Sequence, residues 1–186
     1  MNRSILGFAL LGLFEQQPSS GYDLRKIFTQ TPMWSYSDSP GAIYPALERL
    51  EKSGLIRGRV ETSAGLRRRK VFRLTSAGMA ELKKWLRKPV SREEVIRGMA
   101  EFMLRFAFTE HVLGSAGAMR LLQDLEKELR LYLPTLREFL EAHKEAMPIS
   151  GRLALESGIR DYESKLGWTK YAIAMYARKN KGGTSS

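Results

Sequence analysis

The chain has 186 residues and no cysteine. That excludes disulfides, thiol nucleophiles and zinc sites built on thiolates. Histidine is nearly as scarce: His111 and His143 are the only two, neither stands in a metal-ligand spacing, and no metal is expected. No apolar run approaches the roughly 18–20 residues that span a bilayer. No Ser/His/Asp set, phosphate loop ending in Lys-Ser/Thr or paired-carboxylate spacing stands out. The chain therefore does not read as an enzyme, and no cofactor is implied.

Acidic residues are the minority charge, 20 Asp+Glu against 31 Lys+Arg, which leaves a net charge of +11 and a pI near 10.0. The excess is uneven. Residues 1–92 hold 17 Lys/Arg and 7 Asp/Glu, a balance of +10, whereas the remaining residues hold 14 and 13, a balance of +1. One half is built to meet an anion, and polyanions such as nucleic acid or anionic lipid become plausible partners. The plainer reading is a solvated basic face. A hydrophobic content of 43% suffices for a core, and the length suits one large domain or two small ones.

Arg3 followed by the apolar stretch 5–14 has the outline of a short signal peptide, but no A-x-A site follows. Ile5, Leu6, Ala9, Leu10, Leu13 and Phe14 instead predict a helix buried on more than one side. Ser20 with Asp23 three residues on resembles a capping box and opens a second helix near Gly21, which Thr31-Pro32 ends. A third helix is expected with Ser39 as N-cap and Pro40 in its first position. Ile43, Ala46, Leu47 and Leu50 share its inner face; Gly41, Tyr44, Pro45, Glu48, Arg49 and Lys52 share the outer one. Pro45 is awkward there, since an interior proline removes a backbone bond. Gly54 reads as the stop.

Ile56, Gly58 and Val60 then alternate with Arg57, Arg59 and Glu61, the period of a half-buried strand. Beyond a loop at 62–66, the run Arg67-Arg68-Arg69-Lys70 is expected at a hairpin tip, with Phe72 and Leu74 facing the core on the returning strand. Thr75 caps a fourth helix carrying Met79, Leu82, Trp85 and Leu86. This order is that of a winged helix-turn-helix. Its third helix suits a major groove about 12 Å wide, and its basic hairpin suits a phosphate backbone or minor groove.

The C-terminal half predicts three helices. The first spans 92–112, with Val95, Ile96, Met99, Phe102, Met103 and Phe106 on one side. The second carries Leu122, Leu125, Leu129, Tyr132, Leu136, Phe139 and His143, with a bend at Pro134. The third carries Leu155, Ile159, Tyr162, Leu166, Thr169, Ile173 and Tyr176. Seams of this kind mark helices packed at shallow angles. Leu122, Leu125, Leu129, Ile159, Tyr162, Leu166 and Ile173 are the expected dimer interface, with a self-contained monomeric bundle as the alternative. Phe102, Phe106, Trp168, Tyr171 and Met175 are a candidate pocket for a small aromatic effector; core packing is the plainer reading. His143 reads as a satisfied interface histidine.

The segments S-G-Y-D-L (20–24), S-P-G-A-I-Y-P-A-L-E-R-L (39–50), G-L-I (54–56) and R-R-K-V-F-R-L-T-S-A-G (68–78) resemble PadR-type transcriptional regulators over residues 5–87. The resemblance implies a homodimeric DNA-binding regulator, expected to be a repressor. It implies Gly41, Tyr44 and Pro45 on the groove-facing surface, Tyr22 and Arg49 at the backbone, and Arg68 and Lys70 in the wing. Ser39, Ala42, Arg67 and Arg69 complete the expected DNA-binding set. Larger members of the family carry a helical dimerisation domain in the second half. The expected fold class is mainly α: residues 1–90 a winged helix-turn-helix, 91–180 a helical dimerisation and possible effector domain, 181–186 a disordered tail. Double-stranded DNA and a second copy are the expected partners, in the cytoplasm at the nucleoid. A small-molecule sensor whose helical half is primary is the rival reading. A membrane-surface role is disfavoured, because the cations lie on a hairpin and not along an amphipathic helix.

Overall fold

The computed structural model describes residues 4–31, 40–62 and 68–182. The chain divides into two compact units, Met1–Arg87 and Lys88–Ser186. The division falls three residues before the expected boundary, because Val90 is already part of the second unit's core.

In the first unit, α1 (Ile5–Gln16) is capped by Ser4, whose hydroxyl oxygen accepts from the Gly7 N–H at 3.3 Å. Leu6, Ala9, Leu10, Leu11, Leu13 and Phe14 are all buried, and the helix packs against the third and fourth helices and the returning strand of the hairpin. Each fully buried leucine is worth about 1.5–3 kcal/mol, so a helix apolar all round is held by tertiary burial. A two-residue strand, β1 (Ser19–Ser20), precedes α2 (Gly21–Gln30). The capping box at Ser20 forms as expected: Asp23 N–H donates to Ser20 Oγ at 3.2 Å, and Ser20 N–H donates to Asp23 Oδ2 at 3.0 Å.

A 3-10 turn, Pro40–Ala42, leads into α3 (Ile43–Lys52). Ser39, the expected N-cap, lies outside the described residues. The α-helix begins three residues later than the sequence suggests, which removes the difficulty of Pro45. It falls in the first turn, where N–H groups have no intrahelical partner. Ile43, Ala46, Leu47 and Leu50 are buried as predicted, and Gly54 sits at φ 69° just past the helix.

Strands β2 (Ile56–Thr62) and β3 (Arg68–Leu74) pair antiparallel, and β3 also pairs with β1, giving the order β1-β3-β2. Ile56 is buried but Val60 is 65% exposed; the hairpin has left the core by that point. Of the cation run, Arg68, Arg69 and Lys70 lie on β3 opposite Thr62, Glu61 and Val60, and so are not at the tip. Arg67 lies outside the described residues. Phe72 is buried and Leu74 half-buried. Helix α4 (Ser76–Leu86) is capped by Thr75, and its Trp85 stacks on Phe8 with ring centroids 4.6 Å apart.

The second unit is helical. The expected helix over 92–112 is broken at Gly98 into α5 (Arg92–Arg97) and the start of α6 (Met99–His143). Ile96 and Met103, expected on the buried side, are exposed. Within α6 the backbone breaks at Gly114, with φ 72° and ψ 175°, a conformation that an L side chain disfavours. The helix runs on through Pro134, as expected of a bend rather than an end. Helix α7 (Ile149–Gly182) packs along both parts of α6: Phe106 meets Trp168 edge-on before Gly114, and after it Tyr132 meets Tyr162 edge-on at 5.1 Å and Arg137 pairs with Glu163 at 2.5 Å. α7 takes in the first two residues of the expected tail; 183–186 lie outside the described residues. Among the described residues no helix is long and apolar enough to cross a membrane.

Candidate nucleic-acid interface

The winged unit brings the outer face of α3, the start of α2 and the strand of the wing together. Tyr22 at the start of α2 is 72% exposed, and Tyr44 in the first turn of α3 is 51% exposed. Gly41, Pro45 and Arg49 are exposed beside them, and Ala42 is half-buried. The Tyr44 ring rests on the backbone of Gly21: a Cβ built there would lie 2.7 Å from Tyr44 Cε1. A glycine at the mouth of α2 is thus what seats the aromatic ring of α3. Between these groups and β3 lies a cleft of about 330 Å³, with Leu47 and Phe72 among its lining residues.

Arg68, Arg69 and Lys70 are exposed on β3, yet they stand in different surroundings. Arg69 Nη1 lies 3.8 Å from Asp23 Oδ2. The Ser20 hydroxyl and backbone N–H hold that carboxyl below its ordinary range, and Arg69 adds to the effect. Lys70 Nζ donates to Glu51 Oε2 at 2.6 Å, and Gly58 N–H donates to Glu51 Oε1 at 3.1 Å. These bonds keep Glu51 below the ordinary carboxylate range, Lys70 being the larger cause. Arg68 has no ion pair among the described residues. Two of the described members of the cationic run thus face carboxylates of α2 and α3.

Sequence spacing pairs neither Asp23 nor Glu51 with the wing. Glu51 and Lys70 stand 19 residues apart, and no helical or strand periodicity links them; only the β2–β3 register does.

The second unit distributes its expected site residues otherwise. Leu122, Leu125 and Leu129 are fully buried with Val90, Val95, Phe102 and Ala172 in its own core; Tyr162, Leu166 and Ile173 pack against that core. Ile159 is also buried. The seams expected to meet a second copy therefore pack against α5, the start of α6 and α7 of the same chain. Phe106 stacks on Phe102 and meets Trp168 edge-on, but Tyr171 and Met175 are 63% and 47% exposed, so the five candidate pocket residues do not share one lining. His143, expected at a packed seam, is exposed, with its ring stacked on Phe139. Among the described residues no three His, Asp or Glu side chains cluster as a metal would require.

Residues 10–84 match the sequence family described as the transcriptional regulator PadR-like family. A negative transcriptional regulator PadR of Bacillus subtilis (strain 168) is 28% identical over 179 residues, 92% of this chain and 97% of that one. A probable transcriptional regulator of Mycobacterium tuberculosis is 30% identical over 95 residues, covering 51% of this chain and 50% of its own. Among solved structures, Bacillus subtilis PadR in complex with operator DNA is 26% identical, with 95% of this chain and 99% of that one covered, at a TM-score of 0.46. Residues 10–84, which hold the winged unit's helices and hairpin, thus match the PadR-like family of transcriptional regulators, and a helical region follows them.

Proposed function

We propose that the chain is a homodimeric, sequence-specific DNA-binding repressor. The N-terminal turn of α3 enters the major groove, and the wing lies along the backbone or minor groove. The observation that carries this reading is a cleft lined by Tyr22, Tyr44, Arg69 and Lys70, beside exposed Pro45 and Arg49 on a helix whose other face is buried in the domain core. Such a surface offers hydroxyl and guanidinium donors to phosphates and a narrow, small-residue helix start to base edges. Repression is supported by the curated relative, a negative regulator aligned over nearly the whole chain.

Dimerisation is supported by what the second unit leaves uncovered. Leu131, Phe139, Ile149, Leu153, Tyr171 and Met175 are exposed on α6 and α7, more large apolar surface than a lone helical hairpin needs. A second copy laid on these residues would give the two reading helices the dyad symmetry of a palindromic operator.

Footprinting of the DNA flanking the chain's own gene, across a salt series, tests the reading. The expected result is a protected dyad-symmetric site with half-sites about 10 bp or a multiple apart. Equal retention of operator and mixed-sequence duplex at 200 mM salt would overturn sequence specificity. A promoter fusion whose output falls when the protein is supplied tests the sign of regulation.

A further inference from the structure

Glu51, like Asp23 and Glu48, is an acid on a face that also carries Arg49, Arg69 and Lys70, and its bonds are specific. It stands at the end of α3 and reaches β2 and β3 at once, accepting from the Gly58 N–H at 3.1 Å and from Lys70 Nζ at 2.6 Å. β2 is the outer strand of the sheet, so the Gly58 N–H would otherwise be an unpaired edge donor.

Gly58 is also what lets Lys70 arrive. A Cβ at this position would overlap Lys70 Cε and lie 2.8 Å from Glu51 Oε1 and 3.0 Å from Phe72 Cε1. The lysine stem therefore crosses the sheet over a bare backbone, passing the Phe72 ring with Nζ 5.1 Å from its centroid. Three features agree on one geometry: a missing side chain at 58, a carboxylate divided between backbone and lysine, and an aromatic floor beneath the ammonium.

We propose that Glu51 is a positioning residue of the DNA-binding unit: it locks the wing to the reading helix through Gly58 and Lys70, and so keeps Lys70 from serving as a phosphate contact. The inference rests on the DNA-binding reading above. The lock fixes the angle between wing and α3, and it withholds one cation from sequence-independent attraction to any duplex. An acid that lowers non-specific affinity while holding a reading geometry raises the ratio of specific to non-specific binding, which is the quantity a regulator depends on.

The test uses the full chain, a fluorescently labelled mixed-sequence duplex and a salt titration. Glu51→Gln can still accept from the Gly58 N–H but no longer holds the ammonium. It should steepen the slope of log affinity against log salt by about 0.9, the value of one added phosphate contact, and tighten non-specific binding severalfold at low salt. The double variant Glu51→Gln with Lys70→Met should return the slope to that of the unaltered chain. An unchanged slope in Glu51→Gln, or a steepened slope that survives loss of Lys70, would overturn the proposal. A second readout needs no DNA: exchange of the Gly58 amide should quicken severalfold in Glu51→Ala, and an unchanged rate also overturns it. Should the unaltered chain fail to hold any duplex at low salt, the DNA-binding reading falls, and with it the role of Glu51 in withholding a cation, while the amide readout still decides whether the lock exists.

Discussion

Arg105 and Glu94 form an ion pair with almost no surface: Arg105 Nη1 lies 2.6 and 2.8 Å from the two carboxylate oxygens, and the arginine side chain is 0% exposed. Arg105 Nη2 donates to the Lys88 carbonyl, so one side chain on α6 holds both α5 and the segment that leads into it. The guanidinium Nε is buried with no hydrogen-bond partner among the described residues. In such a site removal of one partner leaves the other charge uncompensated.

Glu94→Ala should therefore destabilise the second unit by about 3–5 kcal/mol, and Arg105→Met should do the same. The double variant Arg105→Met with Glu94→Leu should recover most of the loss, because neither charge is then stranded. Urea denaturation of the full chain, with a probe in the second unit, measures all three. Equal and additive losses would show that the two side chains do not act as a pair.

The two helical prolines should behave oppositely. Pro45 lies in the first turn of α3, where no bond is lost, and Pro134 lies inside α6. Pro45→Ala should lower stability by no more than about 1 kcal/mol, through the added freedom of the unfolded chain. Pro134→Ala should raise it, towards the roughly 3 kcal/mol that an interior proline costs. Thermal melts of both variants decide the contrast.

Glu110 accepts from Tyr176 Oη at 2.7 Å, Lys179 Nζ at 2.7 Å and Ser115 Oγ at 3.0 Å. Lys179, then Tyr176 and Ser115, hold its carboxyl at about 2 against an ordinary 4.5. A depressed pKa stabilises the fold above the unfolded value, and that stability is lost as pH falls from 4.5 towards 2. Burial, and then the Glu110 bond, raise the Tyr176 phenol from 10.0 to about 12. Its contribution is full below 10 and lost as pH rises from there towards 12. The stability gap between the unaltered chain and Glu110→Gln should thus be widest at neutral pH and shrink at both ends. A gap constant from pH 2 to pH 7 would contradict the network.

Arg68 and Tyr44 separate attraction from reading. Arg68→Ala should flatten the salt slope by about 0.9 and leave sequence preference intact. Tyr44→Ala should weaken the protected site more than a mixed-sequence duplex. Anisotropy titrations on both duplexes provide the comparison, and a uniform loss in Tyr44→Ala would assign that residue to the backbone.

Local signals carried much of the first unit. The capping box at Ser20 and Asp23, the inner face of α3, the stop at Gly54 and the Thr75 cap involve residues within a few positions of one another, so spacing alone specifies them. The two-residue strand β1 is too short to show a period. The late start of α3 depends on the 3-10 turn before it, which hydrophobic spacing does not reveal. Val60 illustrates the reverse error: it keeps the strand's alternation, but the hairpin has already passed the edge of the core.

In the second unit the seams were legible and their partners were not. A 3-4 spacing of Leu122, Leu125 and Leu129 states that a face must be covered, and it is indifferent to whether the cover comes from α7 or from another molecule. The break at Gly114, across which Val95 and Phe102 join the three leucines in one core, and the return of α7 with Ala172 supply that cover within the chain.

The sequence by itself determined the order of the four helices and the hairpin of the first unit, the concentration of positive charge in the first half and the family resemblance, because each rests on residue type and near-neighbour spacing. Only the tertiary structure decided that Lys70 and Arg69 face carboxylates, that Gly21 seats Tyr44, and that Arg105 is buried against Glu94. Those contacts join residues between 11 and 46 positions apart, and the electrostatic character of a charged side chain is set by what the fold brings within a few ångströms of it.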